Sequence, residues 1–498
     1  MKKLIILITV LLVLGSSCKD FLAVDEFNPN SASAVPANLI LPAALNATAS
    51  NVISPDSWAY IYLWYGCWSI SSGYAPSATL TQYNPLNSSY QGNWRDAYVN
   101  LQNYDYLEKV ATGAVNKPYR AIAKIMKAYI FQYLVDTYGN IPYSQALKTD
   151  EGILKPEYDN QQSIYEALVV QLDSAMTLIS TASADAVEVG DYDIVYHGDL
   201  NLWWKFANTI KLRMLMNQAD MADRSAYITS ALATTSHTAA DYIGAGEGAW
   251  SNPGYLQSTG KMNPFWENFY KQDGSQQADG LGYYVAGQDA CDLLLDNNDP
   301  RTFRFFDDNS KGTIKGNYYA QSAALEPVPT TSKLGVGMLQ SFDQSAPLMT
   351  EWESLFLQAE AAYRGYISED PKTLYESAVT QSIIYMGGPN GTAAAAATYL
   401  AQDSKDLVNY DAATNKLRTI ITQKWISLDG INAMPIWTDY RRTGFPSFIH
   451  FSETDGRKSD TPPVRLLYPQ TEINVNNDNV LKQGDINLFN TKIFWQNR

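Results

Sequence analysis

Cys18 is the residue whose chemistry most changes where this chain ends up. It closes Leu14-Gly15-Ser16-Ser17-Cys18, behind Lys2, Lys3 and an apolar run from Leu4 to Leu14. A basic start, a short apolar core and small residues make a secretory signal, and the run is too short to span a bilayer. A cysteine at the cut position matches a lipoprotein processing site, where the thiol takes a lipid and the amine becomes the new terminus. Leu14 stands four residues before Cys18, where the usual lipobox has its leucine three before. The expectation is a signal peptide over residues 1–17, lipid on Cys18, a polar tether over 18–36 and one folded domain over 37–498.

Other reactive groups are sparse. His197, His237 and His450 are the only histidines and have no HExxH-like spacing, so a zinc site is not expected. Cys67 and Cys291 lie outside any CxxC pattern; they form either one bridge or two buried thiols. A glycosidase needs two carboxylates about 5 to 10 Å apart across a cleft. Glu351, Glu353 and Glu360 fall instead on a helical stretch, and no enzymatic role is expected of them. Neither Asn474–Asp478 nor Asp307-Asp308-Asn309 has an EF-hand pattern, and both read as surface turns. No residue pattern asks for a cofactor.

Aromatic rings carry the chemistry that remains. Tyrosines number 34 against 16 phenylalanines, with 12 tryptophans, and Tyr and Trp join an apolar face to a polar tip. A sugar face stacks on such rings while its hydroxyls need Asn, Asp, Gln, Arg or Lys at the rim. The search is therefore for aromatics beside polar residues in loops. It selects Tyr74 and Tyr83 in a Ser/Thr/Asn-rich stretch, then Trp250, Tyr255, Trp266 and Tyr283, with Tyr284 following. Asn252, Lys261, Asn263, Glu267 and Gln288 are the polar neighbours.

The elements that must position these residues are mostly helical. Ile122, Ile125, Met126, Tyr129, Ile130, Tyr133 and Leu134 recur at three and four from Pro118 to about Tyr138, where Gly139 and Pro142 end the run. A second helix is predicted from about Gln162 to Ile179, capped by Asp159 or Asn160, and a third from Leu200 to about Ala219, capped by Asp199. From Leu39 to Ser72 the chain is apolar and aromatic, and helix is favoured over strand. Helical period returns at Thr350–Tyr366, Leu374–Tyr385 and Leu417–Leu428. Between about 239 and 347 it breaks into Gly, Asn, Pro and aromatic residues, a loop-rich insert of the kind that carries binding sites. After Arg441 the sequence reads as prolines, asparagines and short extended pieces. Arg441 and Arg442 beside Asp439 read as an ion-pair network ending a helix. The fold class is mainly α, a tetratricopeptide-like scaffold of helical hairpins at about 95–235 and 348–440 around the insert.

Charge narrows the partners. Loss of residues 1–17 removes two lysines and no acid, taking the formal charge from -15 to -17. Such a surface repels phosphate backbones and anionic head groups, so no nucleic acid is expected and the lipid is the only evident membrane anchor. The 46% apolar content supports a large core, so disorder is not the default expectation.

Several strings then resemble one family. They are Cys18-Lys19-Asp20-Phe21-Leu22 with Asn28-Pro29-Asn30, WRDAYVNLQN from Trp94 to Asn103, and Ala121 to Pro142 ending AYIFQYLVDTYGNIP. Further along are WKFANTIKLRMLM from Trp204 to Met216, ESLFLQAEAA from Glu353 to Ala362, and QKWISLDGINAMPIWTDYRRTGFP ending at Pro446. In this order they resemble the SusD/RagB outer-membrane lipoproteins of Bacteroidetes, in the branch called starch-binding and associating with the outer membrane. The resemblance implies a lipid-anchored, surface-exposed nutrient-binding protein with a tetratricopeptide-like α-α superhelix. It implies binding of an oligosaccharide, or of a peptide in some branches, and delivery to a SusC-like TonB-dependent transporter faced by the helical scaffold. A purely structural gating role in that complex is the alternative. Binding loops differ between members, so no ligand motif transfers. The strings themselves read as packing: Trp94, Tyr98 and Asn103 share helical spacing, as do Trp203, Phe206 and Ile210.

Overall fold

The computed structural model describes residues 35–277 and 280–496. The signal peptide, Cys18 and the tether as far as residue 34 lie outside the described residues. Helix Lys117–Tyr138 is the centre of the first half. Eighteen of its 22 residues are buried, so it is covered all round rather than on the single stripe its spacing predicts. Pro118 occupies its first turn, and Gly139 ends it at φ 76°, a conformation that favours glycine. Helix Gln91–Val110 packs on one side and helix Gln161–Ser180 on the other, followed by helix Leu200–Asn217. Asn160 and Asp199 cap the last two: Asn160 Oδ1 accepts from Gln162 N and Ser163 N, and Asp199 Oδ1 from Asn201 N and Leu202 N.

The second half repeats the arrangement with helices Glu351–Tyr363, Pro371–Met386, Lys416–Ser427 and Ala433–Thr443. Two buried ionic clusters order the scaffold, the first joining its halves and the second tying together helices of the second half. Arg213 donates to Gln132 Oε1 at 2.9 Å and to Glu353 Oε1 at 3.1 Å, joining three helices. Arg442 grips both oxygens of Glu360 at 2.5 Å and reaches Asp439 at 2.7 Å, while Lys424 meets Asp439 at 3.0 Å. Burial pushes Glu360 up, but Arg442 outweighs it and holds the carboxyl at about 2. Arg441 takes no part in this ion pairing. It donates to the carbonyls of Asp136 and Val464 and lies 4.0 Å from the Trp437 ring centroid.

Among the described residues strands are short and come as three antiparallel pairs. Ala249–Ser251 pairs with Ala346–Met349, closing the insert at its base beside helix Glu351–Tyr363. Trp68–Ile70 pairs with Tyr284–Ala286, joining the first aromatic stretch to the middle of the insert. The longest helix described inside the insert, Gln288–Asp296, has only nine residues.

Two stretches differ from expectation. The Leu39–Ser72 region contains two helices, Ala37–Ile53 and Pro55–Trp64, and then strand Trp68–Ile70. Past Arg441, helix Gln470–Leu481 stands where extended pieces were expected; it spans Asn474–Asp478 with a kink at Asn476, whose φ of -129° and ψ of 31° are non-helical. Its apolar residues dock it only in part: Val480 packs against the core, while Val475 and Leu481 are exposed. Asn476 and Asn479 are buried and donate to Pro156 O and Lys155 O. An apolar period is a poor reporter of a helix held largely by amides. Cys67 and Cys291 are free thiols, both buried.

One core group is out of balance. Asp429, in the turn after helix Lys416–Ser427, is fully buried, and neither carboxylate oxygen has a hydrogen-bond partner among the described residues. Burial pushes its carboxyl up to about 8, opposed only by the nearby Trp68 indole. An unfolded Asp ionises near pH ~4, so the folded state holds one more proton between those values and loses stability as pH rises from about 4 to 8. Asp429→Asn is expected to remove that loss. Urea midpoints at pH 5 and pH 8.5 should converge in the variant, and an unchanged pH dependence would clear Asp429 of the effect.

Candidate functional site

Strand pairing assembles the site. The Trp68–Ile70 and Tyr284–Ala286 ribbon sets Ile70 opposite Tyr284, and Ser71 N–H donates to Tyr283 O at 2.9 Å. The chain leaving the first strand therefore brings Tyr74 against Tyr283, edge to face, with ring centroids 5.2 Å apart. Tyr283 also meets Tyr284 edge to face at 4.8 Å. Beneath them Trp68 is buried against Phe265 and Phe269, which fixes the ribbon to the short helix Pro264–Phe269. That helix starts because Asn263 Oδ1 accepts from Phe265 N and Trp266 N and Pro264 fills the first position. With its phenylalanines turned inward, it presents Glu267 and Asn268 outward.

The result is an open groove of about 590 Å3. Tyr74, Tyr283 and Tyr284 supply its rings, and Asp56, Asn268, Lys271 and Gln277 supply polar groups. A second lobe of similar size, bounded by Thr259, Met262, Gln272 and Asp273, shares Glu267, Lys271 and Gln277 with it. Glu267 is partly occupied, since its carboxylate accepts from Gly260 N at 2.6 Å. Burial pushes the Tyr283 and Tyr284 phenols up, so both remain neutral donors at physiological pH. Carboxylates outnumber cations here, and among the described residues no group of His, Cys, Asp and Glu could hold a metal ion. The arrangement offers ring faces with hydrogen-bonding groups around them, suited to a neutral polyhydroxylated ligand.

The six aromatics chosen from sequence do not form one site. Tyr74 and Tyr283 meet in the groove. Tyr83 is 1% exposed, and its hydroxyl accepts from Ser452 N at 2.8 Å, so it packs the core. Tyr255 is likewise buried. Trp250 stacks on Tyr385 at 5.1 Å and donates to Glu351 at 3.2 Å, tying the insert's base to the scaffold. Trp266 belongs to the groove's helix, but its ring stacks on Tyr270 at 4.0 Å. Of the polar neighbours only Glu267 lines the groove. Asn263 is a buried cap, Asn252 donates to Asp343 O, Gln288 is bonded to Asp292 and Gly316, and Lys261 is exposed elsewhere. Sequence reasoning missed Asp56, Asn268, Lys271 and Gln277. The signal that unites them is a ribbon of three residues per strand, too short to show alternation.

Tyr83→Ala is expected to cost about 3 kcal/mol of stability, whereas Tyr283→Ala, at the groove wall, leaves the thermal midpoint close to the parent's. Thermal melts of the two variants check this, and equal losses would mean that Tyr283 is a packing residue too.

A family described as starch-binding and associating with the outer membrane matches residues 29–469. Among solved structures, the chain is similar to a chitin-binding protein at 22% identity and TM-score 0.74, covering 92% of this chain and 100% of that one. It is similar to a SusD homologue from Bacteroides fragilis at 22% identity and TM-score 0.71, over 93% and 99% of the two chains. A SusD/RagB family protein from Bacteroides thetaiotaomicron gives 20% identity and TM-score 0.74, over 93% and 100%. At these identities the shared property is the fold. No curated protein matches the chain.

Proposed function

The chain belongs to the SusD-like family of non-catalytic, outer-membrane nutrient-binding proteins, and from that premise we propose that its tyrosine groove captures an oligosaccharide for import. The observation that carries the reading is the Tyr74–Tyr283–Tyr284 cluster beside Asp56, Asn268, Lys271 and Gln277. Ring faces bind the C–H surface of a sugar, and uncharged or oppositely charged side chains at the edge meet its hydroxyls. Asp56, Glu267 and Asp273 against Lys271 disfavour anionic sugars. The family description and the chitin-binding relative agree with a glycan ligand.

In this reading the protein hands its ligand to a SusC-like TonB-dependent transporter, with lipid on Cys18 holding it at the cell surface. Among the described residues no helix is long and apolar enough to cross a membrane. A capture protein held beside its channel raises the local ligand concentration there, which is the physical gain of tethering.

Isothermal calorimetry against neutral glycan oligomers, uronic-acid oligomers and peptides tests the ligand class. Binding of a neutral glycan is expected, weakened about tenfold or more by Tyr74→Ala combined with Tyr283→Ala. Peptide binding alone, or co-purification with a barrel transporter without any ligand binding, would replace the glycan reading. Cys18→Ala is expected to move the protein from the membrane to the soluble fraction with its thermal midpoint unchanged. Retention in the outer-membrane fraction would assign the attachment to partner contact.

A further inference from the structure

A second cleft lies between helices Gln288–Asp296 and Thr302–Phe305 of the insert and helix Ala393–Leu400 of the scaffold. Its volume is about 650 Å3, and it shares no lining residue with the tyrosine groove. Phe303 stands over it 52% exposed, and Leu295 beside it is 40% exposed. Isolated exposed apolar side chains are ordinary. This one differs because its backbone is fixed from below. Arg301 is buried and uses all five guanidinium N–H groups, on both oxygens of Asp299 and on Ser382, Ser427 and Gln423. Two residues further on, Phe303 sits on the short helix Thr302–Phe305, whose start Arg301 anchors, so binding through its face requires little ordering of the backbone.

The rim is built from amides and hydroxyls. Asn298, at φ 51°, donates to Gln402 Oε1 at 3.2 Å, and Gln402 donates in turn to Asn297 O and Tyr399 O. Asn390 and Thr398 complete the edge and are exposed. Asp299 is the one charged residue of the lining, and Arg301 neutralises it at 2.7 Å. A charged ligand finds no counter-ion here, whereas a sugar finds a ring to stack on, with the exposed Asn390 amide and Thr398 hydroxyl at the edge for its own hydroxyls.

We propose that the Phe303 cleft is a second carbohydrate site, for a neutral oligosaccharide, acting independently of the tyrosine groove. The two sites together let one protein hold a long polymer at two points, so that avidity exceeds either affinity.

The test uses the lipid-free protein carrying Tyr74→Ala and Tyr283→Ala, probed with maltoheptaose, xylohexaose, chitohexaose and trigalacturonate. At least one neutral oligosaccharide should still bind this protein. Adding Phe303→Ala should weaken that binding about tenfold, and Phe303→Trp should preserve it. The proposal is overturned if no neutral probe binds the groove-less protein, if Phe303→Ala changes nothing, or if trigalacturonate binds equally well. It is also overturned if Phe303→Ala instead abolishes a dimer seen by sedimentation. Binding by the parent protein that disappears entirely in the groove-less protein would sink this proposal and leave the function proposed above intact.

Discussion

The structure depends on guanidinium groups buried where helices from opposite halves of the chain meet. Arg213 comes from the first half and Glu353 from the second, with Gln132 of the central helix between them. Asn432 completes the contact by donating to Tyr133. Breaking a buried pair of this kind by removing one partner leaves a charge unsolvated, at a cost of about 3 to 5 kcal/mol. Such pairs are weak sources of net stability but strict about geometry, because only one docking of the halves satisfies every donor. Arg364 with Asp220 and Glu360, and Arg442 with Glu360 and Asp439, add a second point of registry about two helical turns away from the first.

Much of the scaffold was legible in the sequence because its helices announce their own ends. Asn160, Asp199, Pro118 and Gly139 each act locally, through caps or a restricted φ, so spacing alone finds them. Helix Gln470–Leu481 was not legible, since asparagine amides do much of its docking and it leaves Val475 and Leu481 in water. The complete burial of helix Lys117–Tyr138 was also hidden. Periodicity shows a favoured face, and only the later helices reveal that the opposite face is covered as well.

The groove was half legible for a different reason. Tyrosines in polar loops mark surfaces that are both wet and adhesive, and that chemistry singled out Tyr74 and Tyr283. The same chemistry also suits a buried phenol with one satisfied hydroxyl, which is what Tyr83 became once Ser452 reached it from far along the chain. Composition cannot separate the two outcomes, because the difference lies in which distant backbone N–H arrives. Likewise Asp56 and Lys271 share a wall only because the Trp68–Ile70 strand finds Tyr284–Ala286.

The pairing of Ala249–Ser251 with Ala346–Met349 has a consequence for how such a protein diversifies. Both ends of the insert leave and rejoin the scaffold at one narrow clasp, locked by Trp250 stacked on Tyr385 and bonded to Glu351. Two further ties hold the insert between those ends, the Tyr284–Ala286 strand on Trp68–Ile70 and Arg301 on Ser382, Gln423 and Ser427. The stretches between these three fastenings bear few of the scaffold's constraints, so a change of loop length there can be absorbed without moving the helices.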